Sequence, residues 1–173
     1  MKNICGEEWS AVLRNCVSNH QPDQLALALE KQPKTAPAAL HYAVEYNNIE
    51  CLKVALQHCG KRWRHIHKAL TQAADFNSLP MVRILAPLLR KSQNSNTAFA
   101  FACRHENSDM MEVLWNTSTP EDVLEKFKVV GVQKSRVDLL SNFISDKHAQ
   151  QQKKILQECV TTTSNAYIRK NKI

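Results

Sequence analysis

An internal repeat constrains the fold of this chain more than any other feature. Four segments align without gaps, and each carries a large apolar residue at the same place: Leu13, Leu40, Leu70 and Phe99. These anchor residues are 27, 30 and 29 positions apart. Unrelated helices would not keep the same internal spacing four times, so the sequence predicts consecutive copies of one small structural unit.

Each unit is predicted to contain two short helices. In the first helix the anchor is followed three and four positions later by small residues, as Leu40 is followed by Ala43 and Val44. This spacing forms one apolar face of a helix, and small residues on that face let neighbouring helices approach closely. The second helix has its own apolar set at similar spacing, as in Leu52 and Leu56.

A polar step separates the two helices of a unit. It is Asn47-Asn48 in the second copy, Asn77-Ser78 in the third and Asn107-Ser108 in the fourth. Asn tolerates the left-handed backbone conformation that ends a helix, and Ser caps the helix that follows. The pattern therefore predicts helix–turn–helix units.

These units resemble the ankyrin repeat. Leu40-His41-Tyr42-Ala43-Val44 is similar to the Leu-His-x-Ala-Ala core of that family's first helix, and Val82-Arg83-Ile84-Leu85 is similar to its second helix. The resemblance covers about residues 9–116 and implies an all-α, ankyrin-like helical solenoid. The period is shorter than the family's roughly 33 residues, and the Asp-Gly-x-Thr-Pro hairpin signal is missing, so we expect short loops instead of β-hairpin fingers. Tetratricopeptide repeats are the structural alternative, but their Trp/Leu-Gly/Tyr signature is absent.

The expected organisation has three parts. Residues 1–116 form four ankyrin-like helix pairs, residues 117–160 form a degenerate fifth repeat with a C-terminal capping helix, and residues 161–173 form a flexible tail. Thr119 and Pro120 mark a helix start. Ile155 and Leu156 lie on an otherwise polar segment, as expected of a helix that caps a stack.

The composition indicates the cellular compartment and argues against a protein that is exported by a signal peptide or that spans a membrane. The six cysteines form no Cys-x-x-Cys pair, which favours reduced core thiols in a reducing compartment. The N-terminus turns acidic where a signal peptide would continue apolar. No apolar stretch approaches the roughly 18 residues that a membrane helix needs. We therefore expect a cytoplasmic protein with no transmembrane segment.

Catalytic and metal sites have little support in the sequence. Candidate metal ligands occur only at irregular spacing, at His58, Cys59, His65 and His67. A Cys-His pair can be drawn from Cys103 with His105 or from Cys51 with His41, but Cys103 occupies a small core position of the repeat. No nucleophile elbow or phosphate loop appears. We expect no catalytic residue, no cofactor and no bound metal.

The stretch Gly60–Lys68 is the most unusual segment, since it places Trp63 between Arg62 and Arg64. One interpretation is an exposed contact patch, because Trp and Arg are enriched at binding hot spots. The other is a loop whose Trp packs on the stack while its charges are solvated. Base rates favour the second interpretation, but the segment remains the best single binding candidate.

Two functions remain open. Repeat stacks bind partner proteins through an extended concave face, and the resemblance implies such a non-enzymatic scaffold. The predicted contact residues are Tyr42, Tyr46, Arg62, Trp63, Arg64, Phe76, Arg104 and His105. The alternative is an anionic partner, either nucleic acid or a phosphoinositide-bearing membrane surface, because the net charge is +7. Family members made of repeats alone include bacterial effectors, for which the location would be the host cytoplasm.

Overall fold

The computed structural model describes residues 6–60, 63–90 and 95–170. Within these ranges the chain is all-α, as predicted, and contains no strand. The ten α-helices are α1 (Gly6–Ser18), α2 (Pro22–Lys31), α3 (Ala36–Glu45), α4 (Ile49–Cys59), α5 (Trp63–Asp75), α6 (Leu79–Leu85), α7 (Asn96–Arg104), α8 (Ser108–Leu114), α9 (Pro120–Val130) and α10 (Lys134–Lys170). The chain divides into two compact units, residues 1–123 and 124–173.

The first unit consists of two layers of helices. The first helices of the repeats contact one another in series, α1 with α3, α3 with α5 and α5 with α7. The second helices form the other layer, in which α2 packs on α4 and α6 on α8. The apolar core lies between the layers, and all four anchor residues are fully buried there.

Small side chains allow the first helices to pack closely. Ala43, Ala73 and Ala102 occupy equivalent positions in three successive repeats, and none of them is exposed to solvent. Cys16, at the same position of the first repeat, is 5% exposed. The spacing that predicted an apolar face with small residues is therefore confirmed in all four helix pairs.

The turn within each repeat is left-handed at one aligned position. The backbone angle φ is 55° at His20, 50° at Asn47, 54° at Asn77 and 53° at Glu106. Asn was expected to take this conformation, and in the second and third repeats it does. In the fourth repeat Glu106 takes it instead, and the next residue, Asn107, caps α8 through its side chain.

The connections between repeats are short where the structure describes them. A 3-10 turn at Pro33–Thr35 joins α2 to α3, and another at Trp115–Thr117 follows α8. The structure corrects one expectation. Trp63 was predicted to lie in a loop, but it is the first residue of α5. The helix starts early because Ile66 and Ala69 extend its buried face by one turn before the anchor Leu70.

The second unit contains most of α9 and one long helix. A separate capping helix and a tail from residue 161 were expected, but α10 continues without a break to Lys170. The reason is compositional, since no Gly or Pro occurs between residues 134 and 170. Leu140 and Ile144 of α10 are buried, whereas every side chain described from Gln150 onward is exposed. The assignment of this pair as a degenerate fifth repeat stays a prediction.

The packing of the first helices generates a stability prediction. Ala73→Leu adds a branched side chain where α5 meets α3 and α7, so we expect the free energy of unfolding to fall by about 1–3 kcal/mol. The same change at the exposed Ala149 of α10 is the matched control, and it should stay within about 0.5 kcal/mol of the parent. Equal stability of the two variants in urea unfolding would contradict the assigned repeat register.

Candidate functional site

Polar side chains connect the turns of consecutive repeats. Asn48 is 3% exposed and contacts both its own repeat and the preceding one. Its Oδ1 accepts a hydrogen bond from the backbone N–H of Cys51 at 3.0 Å, which caps α4. Its Nδ2 donates to the carbonyl oxygen of Val17 at 2.9 Å and lies 3.1 Å from Nδ1 of His20. One amide thus caps a helix and binds the end of α1.

The same connection recurs in the next two repeats. The hydroxyl of Ser78 donates to Oδ1 of Asn47 at 2.9 Å, and Nδ2 of Asn107 donates to Oδ1 of Asn77 at 2.7 Å. Asn48, Ser78 and Asn107 occupy the same position of the repeat, immediately after the left-handed residue. The turns are therefore held in register, and equivalent side chains of neighbouring repeats lie beside one another.

The residues immediately before the left-handed turn form an exposed line of rings that we call the aromatic row. Its members are Tyr46, Phe76 and His105, at the end of α3, α5 and α7. Tyr46 is 38% exposed and Phe76 is 53% exposed. His105 is oriented by its Nε2, which donates to the carbonyl oxygen of Asp75 at 2.7 Å. Three predicted contact residues are thus brought together on one edge.

Two carboxylates accompany the aromatic row. Glu45 and Asp75 are the residues one position earlier, and both are exposed. Within the described ranges, neither carboxylate forms a hydrogen bond or an ion pair. A shallow hollow of about 390 Å³ lies beside them and is lined by Glu45, Phe76 and Pro80 among others. This edge therefore combines exposed rings with unpaired negative charge.

Two other predicted contact residues pack against the rings or helices beside them. Tyr42 is half-buried, its hydroxyl forms a hydrogen bond with Ser10, and the guanidinium of Arg14 lies 5.0 Å from its ring. The guanidinium of Arg104 lies 4.8 Å from the ring of Phe101 on its own helix. Tyr42 thus bridges α1 and α3, whereas Arg104 is exposed and remains accessible beside the aromatic row.

His41 links the second and third repeats. Its Nδ1 donates to Oε1 of Gln72 at 2.9 Å. Burial lowers the pKa of His41, an effect that this hydrogen bond partly opposes and the nearby charge of Lys68 reinforces. The imidazole is therefore neutral at pH 7, and its position in the stack does not depend on a charge.

The structure separates Trp63 from the aromatic row. Trp63 begins α5 and Phe76 follows its last residue, so the helix places them about 20 Å apart. The predicted contact residues Trp63 and Phe76 therefore do not form one patch. Trp63 is 44% exposed and has the guanidinium of Arg64 5.6 Å from its ring. Arg62 lies outside the described residues.

The Cys-His pairs do not form a nucleophilic site. Cys103 is fully buried, and burial raises the pKa of its thiol to about 12. Burial also raises the pKa of Cys51, with smaller contributions from Cys16 and Glu50. Both thiols are thus protonated at pH 7, and the thiolate is the nucleophilic form.

The described residues contain neither a cluster of metal ligands nor a membrane-spanning helix. In the part of the chain that the structure describes, no three His, Cys, Asp or Glu side chains cluster as metal ligands. No described helix is long and apolar enough to cross a membrane.

Sequence reasoning missed the role of the polar residues after each turn and the unpaired carboxylates beside the rings. The signal for both was available in the repeat alignment. Asn48, Ser78 and Asn107 fall in one column, and Glu45 and Asp75 fall in another. Spacing alone identified the columns but did not show that neighbouring members touch, since that depends on the angle and distance between repeats.

Comparison with known families agrees with this architecture. The family model described as ankyrin repeats in three copies matches residues 40–126, just over half of the 173 residues. The match begins at the anchor Leu40 and extends into α9. The chain has no significant match among curated proteins or among solved structures. Ankyrin repeats are generally protein–protein interaction modules and are typically non-enzymatic. On the repeat geometry and this match, the chain belongs to the ankyrin-repeat family.

Proposed function

We propose that this chain is a non-enzymatic scaffold that binds another protein through the exposed face of its first helices. The aromatic row is the observation that carries the proposal. Tyr46 and Phe76 are large apolar rings that remain substantially exposed at equivalent positions of adjacent repeats. Aromatic side chains bury a large area on binding and are enriched at interface hot spots.

The spacing of the row suits a continuous partner segment. Neighbouring packed helices are about 8–10 Å apart, so successive rings are separated by about that distance. A peptide in the polyproline II conformation rises about 3.1 Å per residue with three residues per turn, so every third partner residue would face a new repeat. A concave repeat face would hold such a segment along several repeats at once.

Charges around the row supply specificity. Glu45 and Asp75 are negative, and Arg104 at the far end of the row is positive. Such an arrangement selects the orientation of a partner more than it adds affinity. A partner with positive groups opposite Glu45 and Asp75 and a negative group opposite Arg104 is favoured.

The state of the cysteines supports the proposed compartment. Cys16, Cys51 and Cys103 are buried free thiols. Free thiols persist in reducing environments. We therefore infer a cytoplasmic location, which becomes the host cytoplasm if the chain is a bacterial effector.

The row generates a binding prediction. The affinity-tagged full-length chain serves as bait in a lysate of its own organism. The double variant Tyr46→Ala with Phe76→Ala should capture specific partners at least about tenfold less than the parent chain. The reason is that truncating a hot-spot pair costs about 2 kcal/mol or more of binding free energy. Quantitative mass spectrometry measures the capture. Val129→Ala with Val130→Ala, at side chains 84% and 77% exposed in the second unit, is the matched control. Equal capture by the row variant and the control would contradict the proposal.

The distribution of charge favours an anionic partner as the second candidate function. Residues 124–173 contain ten Lys and Arg against four Asp and Glu, whereas residues 1–123 contain thirteen against twelve. The positive charge of +7 therefore lies almost entirely in the second unit. A nucleic acid or a phosphoinositide-bearing membrane would be attracted to this unit by its basic residues.

Salt dependence tests this second candidate. Anisotropy of a labelled 20-base-pair duplex, and sedimentation of vesicles containing a phosphoinositide, should show binding that weakens at least about tenfold between 50 and 200 mM salt. Lys153→Glu with Lys154→Glu should weaken it further, while Lys31→Glu with Lys34→Glu in the first unit should have little effect. Absence of binding at 50 mM salt to both probes would exclude this function.

A further inference from the structure

An open apolar groove lies between the second helices of the second and third repeats. It has a volume of about 880 Å³, and its walls include Leu56 of α4, Ile84 of α6 and the 3-10 turn residues Pro87 and Leu88. Trp63 and Ile66 of α5 complete it. The groove involves the second-helix layer and the start of α5, so it is distinct from the aromatic row at the other end of α5.

The unequal lengths of two helices explain the opening. Helix α4 has 11 residues and α6 has 7, after which the 3-10 turn Ala86–Leu88 redirects the chain. Helix α4 is therefore about one turn longer than α6, and α4 and α6 contact each other less closely than α2 and α4 do. Trp63 and Leu88 remain 44% and 48% exposed at the groove.

The charged side chains that the structure describes at the groove are cationic. Arg90 lines the groove, and the guanidinium of Arg64 lies over the ring of Trp63, another lining residue. No Asp or Glu is among the described residues that line it. Asp75 is at the opposite end of α5, about 18 Å from Trp63.

We propose that this groove binds an acidic amphipathic segment of a partner protein. Large apolar side chains of that segment occupy the groove against Trp63, Ile84 and Leu88, and its Asp and Glu residues face Arg64 and Arg90. A volume of about 880 Å³ lies within the range of roughly 300–1,000 Å³ of sites that bury most of a ligand. Charge complementarity favours this occupant over a basic one, because like charges across an interface cost free energy.

The apolar walls distinguish this occupant from a nucleic acid. Phosphate backbones are bound by Lys, Arg and polar groups, and their affinity falls steeply with salt. A segment anchored by apolar side chains keeps most of its affinity at moderate salt. This site is independent of the aromatic row, because the two share no residue.

Peptide selection against the full-length chain tests the proposal. A phage library of random 16-residue peptides is selected at 150 mM salt, and the most enriched sequence is made as a fluorescein-labelled peptide for anisotropy. We expect enriched sequences to combine Leu, Ile, Phe or Trp with Asp and Glu. Trp63→Ala and Arg64→Glu should each weaken the peptide at least about tenfold.

Control variants separate this site from the others. Lys153→Glu makes the same charge change on the exposed part of α10. Tyr46→Ala with Phe76→Ala removes two rings of the aromatic row. Both variants should bind the labelled peptide with a dissociation constant within about twofold of the parent value. Leu88→Asp, at a side chain 48% exposed, tests the groove without relying on Trp63, and thermal melts by circular dichroism show that each variant is folded. The proposal is overturned if no acidic-apolar peptide is enriched, or if folded Arg64→Glu and Leu88→Asp bind as the parent does.

Discussion

The stacking of this chain depends on polar side chains that follow each left-handed turn and contact the preceding repeat. Asn48 shows the arrangement most fully, because its amide caps α4 and also binds the carbonyl oxygen of Val17 in buried surroundings. The same carbonyl oxygen also accepts the backbone N–H of His20 at 3.2 Å, and each such hydrogen bond contributes about 0.5–1.5 kcal/mol. Slippage of one repeat against the next is therefore penalised, and the register set here places the rings of the aromatic row side by side.

The two proposed surfaces lie at opposite ends of α5. The connections between repeats enter at the start of each first helix, and those that the structure describes are short and contain no strand. Tyr46 and Phe76 lie at the other ends of α3 and α5, beside the left-handed turns, where they remain exposed to a partner. In the second-helix layer, α6 is about one turn shorter than α4, and the groove beside Trp63 lies between them.

The spacing of the repeats predicted the structural features that are set by residue type and by the repeat period. The buried anchors, the small residues between first helices and the left-handed Asn47 and Asn77 all followed from one alignment. Spacing could not predict the α4–α6 groove, since a helix length is not a periodic signal. It also missed the continuity of α10, because the polar composition after residue 150 suggested a cap and tail, although no Gly or Pro interrupts the helix.

The central claim is that contacts between turns hold the repeats in register, and Asn48 tests it most directly. Asn48→Ala removes both the cap and the donor to Val17, so the free energy of unfolding measured in urea should fall by about 1–3 kcal/mol. Asn142→Ala, an exposed Asn of α10, should change it by less than about 0.5 kcal/mol. If Asn48→Ala is as stable as Asn142→Ala, contacts between turns do not hold the stack, and the account is contradicted.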